Sequence, residues 1–167
     1  FSSNIIKKAG VSIKMEAKKK FNAQNLWSGI LLGIGFVSFI DEVVFHQLLR
    51  WHHFYDRSTT AAGIVSDGLF HAFSWFATAG AFFLFADLRR RQAFERTRWL
   101  SGFLLGAGGF QLYDGIVQHK IMRIHQIRYD VNLLPYDITW NFIAAALLIT
   151  GIYMIRKRPA NEGKACR

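Results

Sequence analysis

Histidines and carboxylates stand in this chain where apolar segments normally exclude them. The stretch Asp41 to His53 (DEVVFHQLLRWHH) closes a long apolar run with two carboxylates and three histidines. Asp114, His119 and His125 follow Asp41, His46 and His52 at a constant offset of 73 positions. Nitrogen and oxygen donors without thiolates suit zinc, iron, manganese or copper(II), and histidine with carboxylate on facing helices is how a bundle holds one or two such ions. The single cysteine, Cys166, stands in the C-terminal tail, which removes both a disulfide framework and a thiolate site.

Depth along the helices places His46, His71 and His119 at one level, and these three form the leading ligand set. His52, His125, Asp41, Asp67 and Asp114 complete the candidates. In a regular α-helix Glu42 and His46 share a face, as do Asp41 and His52, but a rise of about 1.5 Å per residue separates Asp41 from His52 by roughly 16 Å. On that geometry one ion cannot take both. Either two sites lie at different depths, or Asp41 serves a histidine ligand on another helix. His53, with Trp51, Phe54 and Tyr55, reads as an interfacial belt. Asp67 and Asp137 open the second and fourth helices as N-cap candidates, each four residues before a second polar group, His71 or Asn141.

Four apolar blocks position these residues, roughly 27–49, 63–87, 100–122 and 138–155, each close to the ~20 residues that cross a bilayer as a helix. The composition, 51% hydrophobic and 16% aromatic, agrees, and the mean hydropathy of +0.15 is held down by polar tails. The predicted fold is all-α: a membrane four-helix bundle over 25–157, between a basic N-terminal tail (1–24) and a C-terminal tail (158–167). Met15 opens the run MEAKKK and is a candidate start, which would make residues 1–14 an upstream extension. The basic N-terminus leads into a segment long enough to span, unlike a cleavable signal peptide.

A formal net charge of +10 would suit nucleic acid, but the location of the charges excludes that partner. Lys7 to Lys20 precede the first block, Arg89 to Arg98 separate the second from the third, and Arg156 to Arg167 follow the fourth. The positive-inside rule sends all three clusters to the cytoplasm. Four crossings satisfy it, with both termini cytoplasmic and every histidine in the outer half of the bilayer. Anionic lipid headgroups are the expected partners of the basic clusters.

At the offset of 73, Ser28, Gly29, Leu31, Leu32, Gly33, Gly35, Asp41, Val44, His46, Arg50 and His52 all meet identical residues. Convergence of two apolar helices would match leucines, not Asp, His, Arg and His. The alignment predicts two tandem two-helix repeats, about 27–88 and 100–157. Each unit crosses twice, so the copies share an orientation and are related by a pseudo-two-fold axis along the membrane normal. Gly29/Gly33 and Gly102/Gly106 are GxxxG pairs of the kind that lets helix backbones approach, so helices one and three are expected to touch there.

The segments FIDEVVFHQLLRWHH, SDGLFHAFSW and YDGIVQHKIMRIHQIR resemble a bacterial family of small four-helix membrane proteins, the domain of unknown function numbered twenty-two forty-three. The likeness covers about residues 26–157. It implies the fold and a location in the bacterial cytoplasmic membrane, and brings no activity. The sequence departs from the family's usual pattern at Glu42, where glycine is expected as at Gly115, and at Gln126, where a second histidine is common.

Three functions fit these observations. The first is a membrane metalloprotein with a mono- or dinuclear site of iron, copper or zinc and redox or oxygen-linked chemistry. The second is a non-catalytic accessory or assembly subunit of a larger respiratory or metal-handling membrane complex, alone or as a homo-oligomer. The third is a b-type haem subunit with histidines on different helices as axial ligands. No CxxCH is present for covalent haem, and HExxH, GxSxG and phosphate-loop motifs are absent. The histidine spacing also departs from the HxxxH and HxxHH boxes of membrane desaturases.

Overall fold

A computed structural model describes residues 2–157, with side chains from Gly10 onward; the C-terminal tail 158–167, with Cys166, lies outside the described residues. Helix α1 (Ser2–Ile40) runs on as a π-helix over Asp41–Leu48, and α3 (Arg96–Tyr113) runs on as a π-helix over Asp114–Met122. Helix α2 spans Thr60–Arg90 and α4 spans Leu133–Arg156. The described residues contain no strand. Helix α1 begins well before residue 25, where the predicted bundle starts, because the exposed Lys-, Ala- and Glu-containing stretch ahead of it consists largely of good helix formers.

Caps set the starts of the other helices and correct two expectations. Thr59 caps α2 by accepting from Ala62 N, so α2 starts at Thr60 and Asp67 sits inside the helix. Its carboxylate is thereby released from capping. Asn132 caps α4 through Leu134 N, and Asp137 instead pairs with Lys120 Nζ at 2.6 Å. Glu95 caps α3, accepting from Thr97 N and Arg98 N.

Helix α1 packs on α2 and α3, and α3 on α1 and α4, which makes α1 and α3 the inner pair. Three helical stretches, Gly10–Leu48, Thr60–Arg90 and Leu133–Arg156, are long and apolar enough to cross a membrane. Helix α3 misses that standard although it lies along α1. Its buried positions are Ser101, Gly102, Gly106, Ala107, Gly108 and Gln111 rather than leucines, the composition of a helix packed on both sides.

The interior is inverted relative to a water-soluble protein. Fifteen polar or charged residues are buried against six hydrophobic ones among the described residues, while Phe76, Phe83 and Phe142 are more than 70% exposed. Such a surface needs an apolar solvent, and the backbone of a spanning helix satisfies itself internally.

The GxxxG pairs meet as expected. A Cβ on Gly29 would fall on Trp99 O, and one on Gly102 on Leu26 O; Gly33 abuts Phe103 O and Gly106 abuts Ile30 O. Gly35 meets the Thr78 hydroxyl as well as Ser74 O on α2, and Gly108 meets Ala144 O on α4; at the GxxxG glycines the contact is wholly with main chain. The obstacles there are backbone atoms, which no rotamer change can move aside. Gly106→Val is therefore expected to destabilise the detergent-extracted protein by about 2 kcal/mol or more through overpacking. Gly68→Val, on open surface with nothing within 4 Å of its Cβ, is the control; equal melting shifts for the two would contradict close α1–α3 packing.

Candidate metal centre

The π-helical turns and the loops after them bring the polar residues together. Leu49 N donates to Val44 O, five residues back, the wider winding often found at functional sites. The chain then reverses through Arg50 at φ 51° and, in the second half, through Arg123 at φ 52°. Each reversal is closed by a bond spanning six residues, Trp51 N to Phe45 O and Ile124 N to Gln118 O. The left-handed turn folds His52 back onto His46. The 16 Å separation expected from an ideal helix is thus removed, because the helix ends at Leu48, and Asp41, His46 and His52 form one group with ligand atoms within 4.8 Å of one another.

The two loops grip each other across the centre. His52 Nδ1–H donates to Ile127 O at 3.0 Å, and His125 Nδ1–H donates to Phe54 O at 2.9 Å. Asp56 N adds a bond to Ile124 O. A carbonyl can only accept, so these bonds fix the tautomers and leave each Nε2 with an inward lone pair. His46 is oriented by carboxylates in the same way: Nδ1 lies 2.9 Å from Glu42 Oε2 and 3.2 Å from Asp67 Oδ1. Its Nε2 is then 3.0 Å from His52 Nε2. Two inward nitrogens at this distance share either a proton, as an N–H···N hydrogen bond, or an ion bound to both lone pairs.

The second half provides a similar group. Asp114 Oδ2 lies 3.1 Å from His119 Nε2 and Oδ1 lies 3.4 Å from His125 Nε2. Neither contact is aligned as a hydrogen bond, and both nitrogens, with His119 Nδ1, are buried without a partner. Buried polar atoms are nearly always partnered. Nitrogens and oxygens that approach without donor–acceptor alignment are placed as ligands of a common ion would be. His52 is buried, and burial disfavours the charged imidazolium, leaving a neutral ring as the ligand form.

Of the leading set, His46 and His119 are in the centre and His71 is not. His71 is exposed on α2, its ring 5.9 Å from that of Phe39. His52, His125, Asp41 and Asp114 line the centre directly, and Asp67 reaches it through His46. Glu42 is the further residue here; its i,i+4 spacing to His46 was the available signal. His53 belongs less to a belt than to this network, with Nδ1 2.6 Å from Asp67 Oδ2, and Asp67 also accepts from Phe54 N. A cleft of about 550 Å³ lined by Gln47, Arg50, His52, His53 and Tyr129 among others opens onto His46.

Residues 28–158 match the family described as "Predicted membrane protein (DUF2243)". The chain belongs to this family. No curated protein and no solved structure matches it. The family description agrees with the apolar exterior, and the Asp/His centre is built from residues inside the matched region.

Proposed function

We propose that the protein is a multi-pass membrane metalloprotein of the bacterial cytoplasmic membrane, holding iron, copper or zinc through Nε2 of His46, His52, His119 and His125 with Asp41 and Asp114. The observation that carries this reading is the 3.0 Å approach of the His46 and His52 Nε2 atoms. Two imidazole nitrogens about 2.1 Å from one ion, at right angles, lie roughly 3.0 Å apart. Carbonyls and carboxylates on the outer nitrogens are the partners that ligating histidines usually have. A bound ion of this kind supplies Lewis-acid or, for iron and copper, redox chemistry. The chain's contribution is to hold neutral imidazoles in place and to leave a polar cleft beside them.

Several features support four crossings with tandem repeats about a pseudo-two-fold axis. Glycine contacts, left-handed arginines and the reciprocal His52–Ile127 and His125–Phe54 bonds all recur at the offset of 73. Helix α3 then crosses beside α1. Basic clusters at the opposite end of the bundle favour a centre in the outer half of the bilayer.

A b-type haem with two of these histidines as axial ligands is the alternative reading, and a missing Soret band in the visible spectrum of the extracted protein would exclude it. An accessory role in a larger complex, or a homo-oligomer, stays compatible with the same metal site. Elemental analysis of the detergent-extracted full chain tests the reading. Stoichiometric iron, copper or zinc is expected, and preparations that contain none of them and take up none on reconstitution would overturn it.

A further inference from the structure

The arrangement of the histidine rings bears on how many ions the centre holds. The rings of His52 and His125 are stacked, with centroids 4.7 Å apart and planes only 5° from parallel. An imidazole lone pair lies in the plane of its ring, so a well-bound ion lies in that plane too. Parallel rings that overlap face to face aim their lone pairs past a shared ion, whereas steeply inclined rings converge on one. The ligand atoms of His52, His119 and His125 are all within 4.8 Å of one another, but the near-parallel His52 and His125 rings favour separate ions.

Each of the two rings instead meets a histidine of its own half at a steep angle. His46 and His52 have centroids 4.5 Å apart at 71°, and His119 and His125 have centroids 4.6 Å apart at 77°. The cross-pairs are longer, 6.3 Å for His46–His125 and 6.1 Å for His52–His119. Each half also brings its own aspartate, Asp41 at 3.7 Å from His46 Nε2 and Asp114 at 3.1 Å from His119 Nε2. Two histidines and one carboxylate with open positions form a familiar binding unit for a divalent first-row metal.

Charge points the same way. Asp41, Glu42, Asp67 and Asp114 are each no more than 3% exposed, and all their ion-pair partners among the described residues are histidines. Buried charges need compensation. Counted as ionised, the four carboxylates balance two divalent ions, and a single divalent ion leaves two of them uncompensated. Two ions do not.

Resting on the metal-binding reading above, we propose that the centre is dinuclear, with one divalent transition-metal ion on Asp41, His46 and His52 and a second on Asp114, His119 and His125. The two positions are unequal. Glu42 and Asp67 back His46, whereas Gly115 stands where Glu42 would recur, and a Cβ there would meet Asn141 Oδ1 and Trp140 Cδ1, each at 2.7 Å. Asp137, the counterpart of Asp67, is held by Lys120. His119 Nδ1 is left without an acceptor. Carboxylate support raises ligand basicity and is typically worth about 10–100-fold in metal affinity, so the first-half ion binds more tightly.

The test is titration of the metal-free full chain in detergent with cobalt(II), followed by its visible bands, by bound cobalt per chain and by the magnetic coupling of adjacent ions. Two equivalents taken up in two steps, with coupled spins, are expected. Glu42→Gln should weaken only the tighter step, by about 10–100-fold, and His119→Ala should leave one equivalent. A single equivalent in the native chain would overturn the dinuclear proposal while leaving a metalloprotein, and no binding would overturn both. Equal weakening of both steps by Glu42→Gln would overturn the assignment of Glu42 to one ion. These readings use the unmodified chain first, so a variant that fails to fold does not decide the matter.

Discussion

Replacing His46 by alanine is expected to lower the affinity for a divalent first-row metal by more than 100-fold, beyond the roughly 10–100-fold that loss of a supporting partner costs. His46 lies within 3.7 Å of Asp41, Glu42, Asp67 and His52. Its removal deletes a ligand and strands Glu42 and Asp67 without the ring they orient. It also releases His52 Nε2 from its facing partner. His71→Ala is the contrasting variant, since its ring is exposed beside Phe39 and away from the centre. Competition against a metal indicator measures both. Comparable losses in the two variants would mean that the centre is elsewhere.

The second large effect concerns stability of the metal-free protein. Asp67, 1% exposed, accepts from Phe54 N at 2.7 Å and His53 Nδ1 at 2.6 Å, and lies 3.2 Å from His46 Nδ1. It thus ties α2 to the reversed loop and to the π-helical turn at once. Asp67→Ala leaves the part-buried Phe54 N–H unpaired and His46 and His53 without this carboxylate, and a stranded buried group costs about 1–3 kcal/mol. A loss of roughly 3 kcal/mol or more is expected in denaturant or thermal unfolding. Asp67→Asn keeps one acceptor oxygen for Phe54 N and should lose distinctly less. Equal losses for the two variants would show that volume, not hydrogen bonding, is what Asp67 supplies.

Gly115 and Gln126, which align with Glu42 and His53 at the offset of 73, follow from the same geometry. Gly115 is small because Asn141 and Trp140 occupy the space that Glu42 uses in the first half. Gln126, where the family resemblance implies histidine, donates to His119 O and accepts from Lys120 Nζ. The second half therefore spends its polar groups on a structural clasp around Lys120 and Asp137, and the first half on carboxylates behind His46.

By itself the amino-acid sequence determined the helical class, the apolar exterior, the close approach of α1 and α3 and the identity of most of the polar cluster. Each of these depends on local chemistry: glycine spacing, length of apolar runs, or polar side chains that a membrane segment excludes unless they are paired. Family membership was legible for the same reason. Only the tertiary structure decided how the cluster is assembled. An ideal helix keeps Asp41 and His52 apart and places His71 beside His46. Winding over Asp41–Leu48 and the left-handed Arg50 break that periodicity, and no side-chain pattern announces a positive φ at an arginine. The reversed loops then find carbonyl partners 75 and 71 residues away, contacts that become visible only when the two halves are packed together.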